Sequence, residues 1–286
     1  MTRARETSRF INPVSRLINV PAVSQGGVVT EYESGGSTYR VHSFLSGTSK
    51  FVITSTKVVD FLIVGGGGGS AAAEGYSGST GGAGAGGMVV GTTQTITAGE
   101  YEVVVGALGA KSTSISAPAS NGGDSSFNSF VGKGGGAGSD YVGSDAERVG
   151  IAGGSGAGGS ENNQTAGASN QPTYSGTTNV TGYGNAGGNG GAYNSGHGSG
   201  GGGGAGGVGT QYQAATANGG VGLANNFRTG SDVTYARGGN GYAANESSVD
   251  EAANTGNGAH GVSTNSGGNT NSGNGGSGIV VIRYAV

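Results

Sequence analysis

The chain contains no cysteine and no tryptophan, and only 10% of its 286 residues are charged. Without cysteine, a disulfide-stapled scaffold and a thiolate-ligated metal site are both excluded. Without tryptophan, and with seven phenylalanines and 33% hydrophobic residues, the apolar material suffices for one modest core. No apolar run approaches the 18 residues that a membrane-crossing helix needs. The basic N-terminal residues are followed by no apolar stretch of seven or more, so they do not read as a secretory signal, and synthesis in a cytosol is expected.

What the chain has instead is glycine, 69 residues of it. Five lie in the first 64 positions; the other 64 fall between Gly65 and Gly278. That field opens where the apolar run Lys57–Val64 stops and closes where Ile279–Tyr284 begins. Glycine loses the most backbone entropy on ordering and brings no side chain to bury, so neither a helical nor an ordinary sheet protein is expected here. Glycine-rich, low-complexity sequence is also the signature of disorder. Against that reading, a net charge of −3 supplies no repulsion to hold the chain open, and tyrosines recur through the field.

Residues 1–20 stand apart, with Arg3, Arg5, Arg9 and Arg16 against Glu6, and with Phe10, Ile11, Val14, Leu17 and Ile18 among them. A basic, partly apolar arm ahead of an acidic body suggests a docking peptide; a frayed terminus is the alternative. Strands are expected at 28–32, 37–45 and 50–54, with turns at Ser34–Gly36 and Ser46–Gly47. Val58–Val64 is apolar on both faces, as in a central strand. Strand character returns at 88–90, 100–105 and 125–131, weakly at 231–236, and last at 279–284. Between these, the glycine runs lack the Gly-X-Y triplet of collagen. A left-handed extended helix with three residues per turn is open to them. It makes no hydrogen bonds within itself, so buried amides must pair between neighbouring threads.

The expected fold is therefore all-β: a jelly-roll-like β-sandwich that carries a bundle of polyglycine-II-like helices, with almost no α-helix. Residues 1–24 would form the arm. Residues 25–131, completed by 279–286, would form the sandwich, with a glycine-rich excursion at 65–87. Residues 132–278 would form the polyglycine body.

No chemistry-bearing motif survives inspection. Strand-into-glycine at Asp60–Gly69 imitates a dinucleotide-binding turn, but Ser70 stands where the third glycine of the fingerprint belongs and no helix can follow. His42, His197 and His260 share no metal-binding spacing, and no Gly-x-Ser-x-Gly elbow joins a strand to a helix. No catalytic residue, cofactor or metal is expected. In a bundle of bare backbones a tyrosine is expected at a turn, a surface or a subunit seam. Tyr, Ser, Gly and Asn together compose adaptable binding loops. Tyr174, Tyr183, Tyr193, Tyr212, Tyr235 and Tyr242 are accordingly candidate receptor contacts, or else rings that cover the ends of the bundle.

Val58–Gly69, Gly81–Met88, Ile96–Gly106 and Gly275–Tyr284 together resemble the glycine-rich domain common in tail-fibre and other appendage proteins of marine bacteriophages. The resemblance covers about residues 37–286. A similar arrangement occurs in the extracellular domain of certain receptor tyrosine kinases, where a jelly-roll sandwich carries polyglycine helices, and in adhesin tips of some T-even-like phages. Thr2–Ser8 is similar to a short leader on structural proteins of marine cyanophages. The resemblance implies attachment and structure, not catalysis. The protein would be a tail fibre or fibre tip on the virion exterior, synthesised in the host cytoplasm and docked to other virion proteins through Arg3, Arg5, Arg9, Phe10 and Ile11. Its partner would be a host surface glycan or outer-membrane protein, and its state a homotrimer. Neither nucleic-acid binding nor membrane insertion is expected. Alternatives are a head-decoration, cement or head-fibre protein of the capsid, and a cellular glycine-rich surface adhesin.

Overall fold

The computed structural model describes residues 24–73, 78–114, 118–140, 149–162, 164–192, 198–213, 217–241, 248–264 and 272–286. Among them there is no helix, and every paired strand runs antiparallel to its neighbour.

The central strand is β4 (Lys57–Val64), and its doubly apolar sequence explains the layering. Val59, Phe61 and Ile63 face one core; Leu62 and Val64 face another. The C-terminal strand β14 (Ile279–Ala285) has the same character. It sits between β4 and β2 (Ser37–Phe44), with Val280 opposite both Ile63 and Phe44. β1 (Val28–Ser34), β6 (Met88–Ile96) and β10 (Val180–Tyr183) complete a six-stranded sheet of order β1-β2-β14-β4-β6-β10. The chain must therefore close a loop of more than 200 residues to seat its last strand, at an entropic cost that grows only logarithmically with length.

A four-stranded sheet packs on one face of this sheet. Its order is β3 (Gly47–Ile53), β7 (Gly99–Val105), β8 (Ser125–Phe127) and β9 (Phe130–Gly132). The sandwich core between them is aromatic. Phe127 meets Phe51 and Phe61 edge-on at 6.0 and 5.7 Å, and Phe61 stacks on Phe130 at 5.1 Å. Gly91 lies directly opposite Phe61, where a Cβ would collide with the ring.

The second face of the six-stranded sheet is also covered, as the doubly apolar Val58–Val64 implies, although the covering segment was not evident from the sequence. The hairpin β11 (Leu223–Asn225) and β12 (Val233–Tyr235) brings Phe227, Tyr235 and Ala236 against Val41, Leu62, Met88, Ile279 and Val281. The weak strand signal at 231–236 is β12. β10 had no signal: its four residues include Gly182, and it is recruited by the open edge of β6, with Tyr183 opposite Met88.

The glycine runs form a lattice of extended threads, and its repeat is visible in the hydrogen bonds. Along 65–70, successive amides donate to Gly87, Gly123, Gly276, Gly84, Ser120 and Gly273, all at 2.8–3.0 Å. Every third residue returns to the same neighbour, three residues further back along it, so the three accepting threads run antiparallel. The carbonyls of Gly66 and Gly69 accept from Gly135 and Gly138, those of Gly67 and Ser70 from Gly109 and Ser112, and that of Gly68 from Ala259. One thread thus has six neighbours, the hexagonal arrangement that a three-residue turn produces. Two small strands, β5 (Gly78–Ser79) and β13 (Ser263–Thr264), pair within the same body.

Side chains matter at the margins of this lattice. Where a thread lacks a neighbour, an asparagine supplies the missing acceptor: Asn121 Oδ1 receives the Ala137 amide, Asn257 Oδ1 that of Arg237, and Asn274 Oδ1 that of Lys111, at 2.8–3.0 Å. Away from the sandwich, buried hydroxyls do the reverse. Ser199 Oγ donates to Thr80 O at 2.7 Å and Ser139 Oγ to Gly158 O at 2.9 Å. Both devices follow from the cost of leaving a buried amide or carbonyl unpaired.

Candidate binding surface

The expected docking residues Arg3, Arg5, Arg9, Phe10 and Ile11 lie outside the described residues, as do Tyr193 and Tyr242. The chain is described from Ser24, which is buried. Gln25 exchanges two backbone hydrogen bonds with Val52 on the β3 edge, and the chain then crosses to the other sheet to start β1. The crossing is pinned by His42. Its Nδ1 lies 2.8 Å from Gly26 O, its Nε2 lies 3.3 Å from the Tyr284 hydroxyl, and its ring is fully buried against Phe51 and Tyr284. Burial pushes the His42 pKa below its ordinary value, helped by the nearby Arg40 charge, while the Gly26 carbonyl pulls it up.

The four described tyrosines of the candidate receptor set do not share a face, and two are inside. Tyr235 is fully buried in the second core, and burial pushes its hydroxyl pKa up, with Arg228 offsetting part of the shift. Tyr212 is 6% exposed, its ring laid along Gly191 and Gly198. The expectation that a tyrosine cannot point inward is corrected here. Two neighbouring glycines without Cβ atoms leave a slot as wide as a ring, so the glycine field creates room for Tyr212 instead of excluding it. Tyr174 is half-buried against Phe130, and its hydroxyl receives the Val131 amide at 2.7 Å and donates to the Val131 carbonyl at 3.2 Å. Tyr183 is half-buried on β10 against the second core.

A different tyrosine pair is assembled at the surface. Tyr32 on β1 and Tyr39 on β2 are cross-strand partners over the Gly35–Gly36 turn, and their rings stack at 5.7 Å. Arg283 of β14 lies beneath, 4.6 Å from the Tyr39 ring and 4.0 Å from the Phe227 ring. Its guanidinium is paired with Asp60 at 2.9 Å and donates to the Tyr32 hydroxyl at 2.6 Å. Asp60 is itself fixed by the Thr93 amide at the β4–β6 bulge, where Thr93 takes a left-handed φ of 51°. Beside the stack, a groove of 240 Å³ runs between β1 and the loop after β11, lined by Thr30, Glu31, Tyr32, Ser43, Arg228 and Thr229 among others. Glu31 on its rim pairs with Arg40 at 2.6 Å. Rigid aromatic faces next to fixed donors and acceptors are the chemistry that holds a polar ring. The sequence reading missed this site because it looked for tyrosines inside the glycine field; the hairpin turn at Gly35–Gly36 puts Tyr32 opposite Tyr39.

The amides of Gly65–Gly69 are spent in the lattice, so no phosphate cradle forms there. His260 Nε2 lies 3.1 Å from the Arg237 guanidinium and 3.5 Å from Glu251. Among the described residues no group of three or more His, Cys, Asp or Glu could hold a metal ion, and no helix is long and apolar enough to cross a membrane. Across known proteins, a family model described as a glycine-rich domain matches residues 43–285, and no curated protein matches the chain at a significant level.

Proposed function

The chain belongs to the glycine-rich domain family, and on that premise we propose that it is a structural virion protein, a bacteriophage tail fibre or fibre tip that attaches to the host surface. The observation that carries this reading is the six-neighbour glycine lattice, a body made solid by backbone alone. Such a body gives a rigid mount whose turns can vary without disturbing a core. The arm at 1–20 is proposed to dock the protein to other virion proteins, and a homotrimer is its proposed state. The Tyr32–Tyr39 stack and the adjoining groove are the proposed contact for an envelope glycan, since the stack offers apolar ring faces and the rim offers Glu31 and Arg228. A protein epitope of the outer membrane is the other occupant of the same surface.

Gold-labelled antibody against this chain, applied to purified particles, tests the reading. Label at the distal end of the tail is expected. Label on the capsid shell would assign the protein to head decoration, and particles free of label would refute a virion role. Deleting residues 1–20 is expected to leave a folded protein that no longer incorporates into particles.

A further inference from the structure

We propose that Asn218 is the site at which this protein deamidates spontaneously, and that the side chain of Asn240 is what restrains it. The sequence contains six Asn-Gly pairs, beginning at Asn121, Asn189, Asn218, Asn240, Asn257 and Asn274. In such a pair the glycine amide nitrogen can bond to the asparagine Cγ. The side-chain nitrogen leaves as ammonia, taking up the amide proton, and a five-membered imide remains. Water then opens the imide at either carbonyl, giving aspartate or isoaspartate. The net change is one water consumed and one ammonia released, with no oxidant or cofactor.

The lattice blocks the first step wherever the attacking amide is held. Gly122, Gly190, Gly241, Gly258 and Gly275 each donate to a backbone carbonyl of another thread, at 2.7–3.0 Å. The five preceding asparagines are pinned as well. Oδ1 of Asn121, Asn189, Asn240, Asn257 and Asn274 accepts a backbone amide from a neighbouring segment at 2.8–3.0 Å. Nucleophile and electrophile are thus immobilised together, and reaction there requires the threads to part.

Asn218 is built differently on both counts. Its side chain is exposed, and its Oδ1 accepts no amide among the described residues. The Gly219 amide donates to a side chain, Asn240 Oδ1 at 3.0 Å, where the other five donate to backbone. A side-chain acceptor can rotate away without opening the lattice, so the lock at Gly219 releases by a local fluctuation and the other five release by a larger one. The consequence is structural. Isoaspartate routes the backbone through Cβ and lengthens the thread by one atom. The carbonyls of Ala217 and Gly220, one turn apart, accept from Gly241 and Gly238. A longer link between them breaks that three-residue step, so the isoaspartate product at Asn218 slips the register of one thread of the body.

The test is peptide mapping by mass spectrometry, with enzymatic detection of isoaspartate, after incubation of the full chain in mildly alkaline buffer. In the folded protein Asn218 is expected to convert first, with the other five lagging. In urea all six should convert at similar rates. Asn240→Ala removes the restraint and should speed conversion at Asn218 about fivefold, the factor corresponding to one hydrogen bond of roughly 1 kcal/mol. Asn240→Asp keeps the acceptor and should leave the rate at or below that of the parent. A different asparagine converting first in the folded chain would overturn the proposal. So would an unchanged rate in a folded Asn240→Ala protein. Should that variant unfold, the order of conversion in the parent and the rate in Asn240→Asp decide the matter.

Discussion

Phe127 and Gly67 are both buried, yet they hold this molecule together by opposite means. Around Phe127, the rings of Phe51, Phe61 and Tyr101 and a set of branched aliphatics fill the space between two sheets, and the backbone hydrogen bonds lie within the sheets. Around Gly67 there is almost no side chain. Its amide donates to Gly276 and its carbonyl accepts from Gly109, on two different threads. The sandwich gains from apolar burial. The lattice gains from pairing buried amides at close approach, and at positions such as Gly67 glycine is required because a Cβ would enter the Asn257 carbonyl, while alanines such as Ala83 and Ala85 fill the places where a Cβ fits. The two regions should therefore fail under opposite substitutions: the sandwich when side chains shrink, the lattice when they appear.

The largest effect tests that asymmetry. Gly67→Val would drive side-chain atoms into the Asn257 carbonyl; it is expected to cost about 3 kcal/mol or more, read from urea unfolding. The control is Gly176→Ala, where no atom lies within 4 Å of the new Cβ, and which should stay within about 0.5 kcal/mol of the parent. A comparable loss belongs to the sandwich: Phe127→Ala leaves a cavity among the rings and should cost about 3–5 kcal/mol by the same assay.

Smaller effects sharpen the comparison at the margins. Asn257→Ala removes the acceptor for the Arg237 amide and should lower stability by about 1–2 kcal/mol, since the amide is left without its partner. His42 gives the sandwich a pH dependence near neutrality. Its folded pKa lies below the ordinary value of about 6.5, so the unfolded chain binds the proton more readily. Stability is then complete above about pH 6.5 and falls as the pH drops from there through the folded value. Urea midpoints measured from pH 7.5 downward should decline in this sense, and His42→Gln should flatten the curve. At the bottom of the scale, Glu100→Gln breaks the exposed pair with Lys50 at 2.7 Å; thermal unfolding should register no change, because exposed pairs are screened and entropically costly.

Much of this architecture could be read from the chain. The apolar runs Lys57–Val64 and Ile279–Tyr284 announced β4 and β14, and the glycine field was open to a backbone-paired bundle because three-residue helices must pair their buried amides between threads. Strands with fewer cues were hidden. Val180–Tyr183 is a strand because β6 has an open edge beside it, a fact of tertiary context that four residues cannot encode. The second core was hidden too, since Phe227 and Tyr235 lie far in sequence from the strands they cover. Among the candidate contacts, Tyr212 misled because a lone ring between two glutamines looks exposed, whereas Gly191 and Gly198, distant in sequence, make a slot for it. Tyr32 and Tyr39 were recoverable from hairpin register alone, and they form the only stacked tyrosine pair among the described residues.

Hydrogen–deuterium exchange with residue-level resolution tests the central claim most directly. If threads without side chains form a solid, the amides of Gly67, Gly84 and Gly202, each bonded to another thread, should be protected to the same extent as those of Leu62 and Val281 in the sandwich. If the glycine amides exchange at the rate of an unstructured chain while Leu62 and Val281 stay protected, the lattice is not what holds this body together.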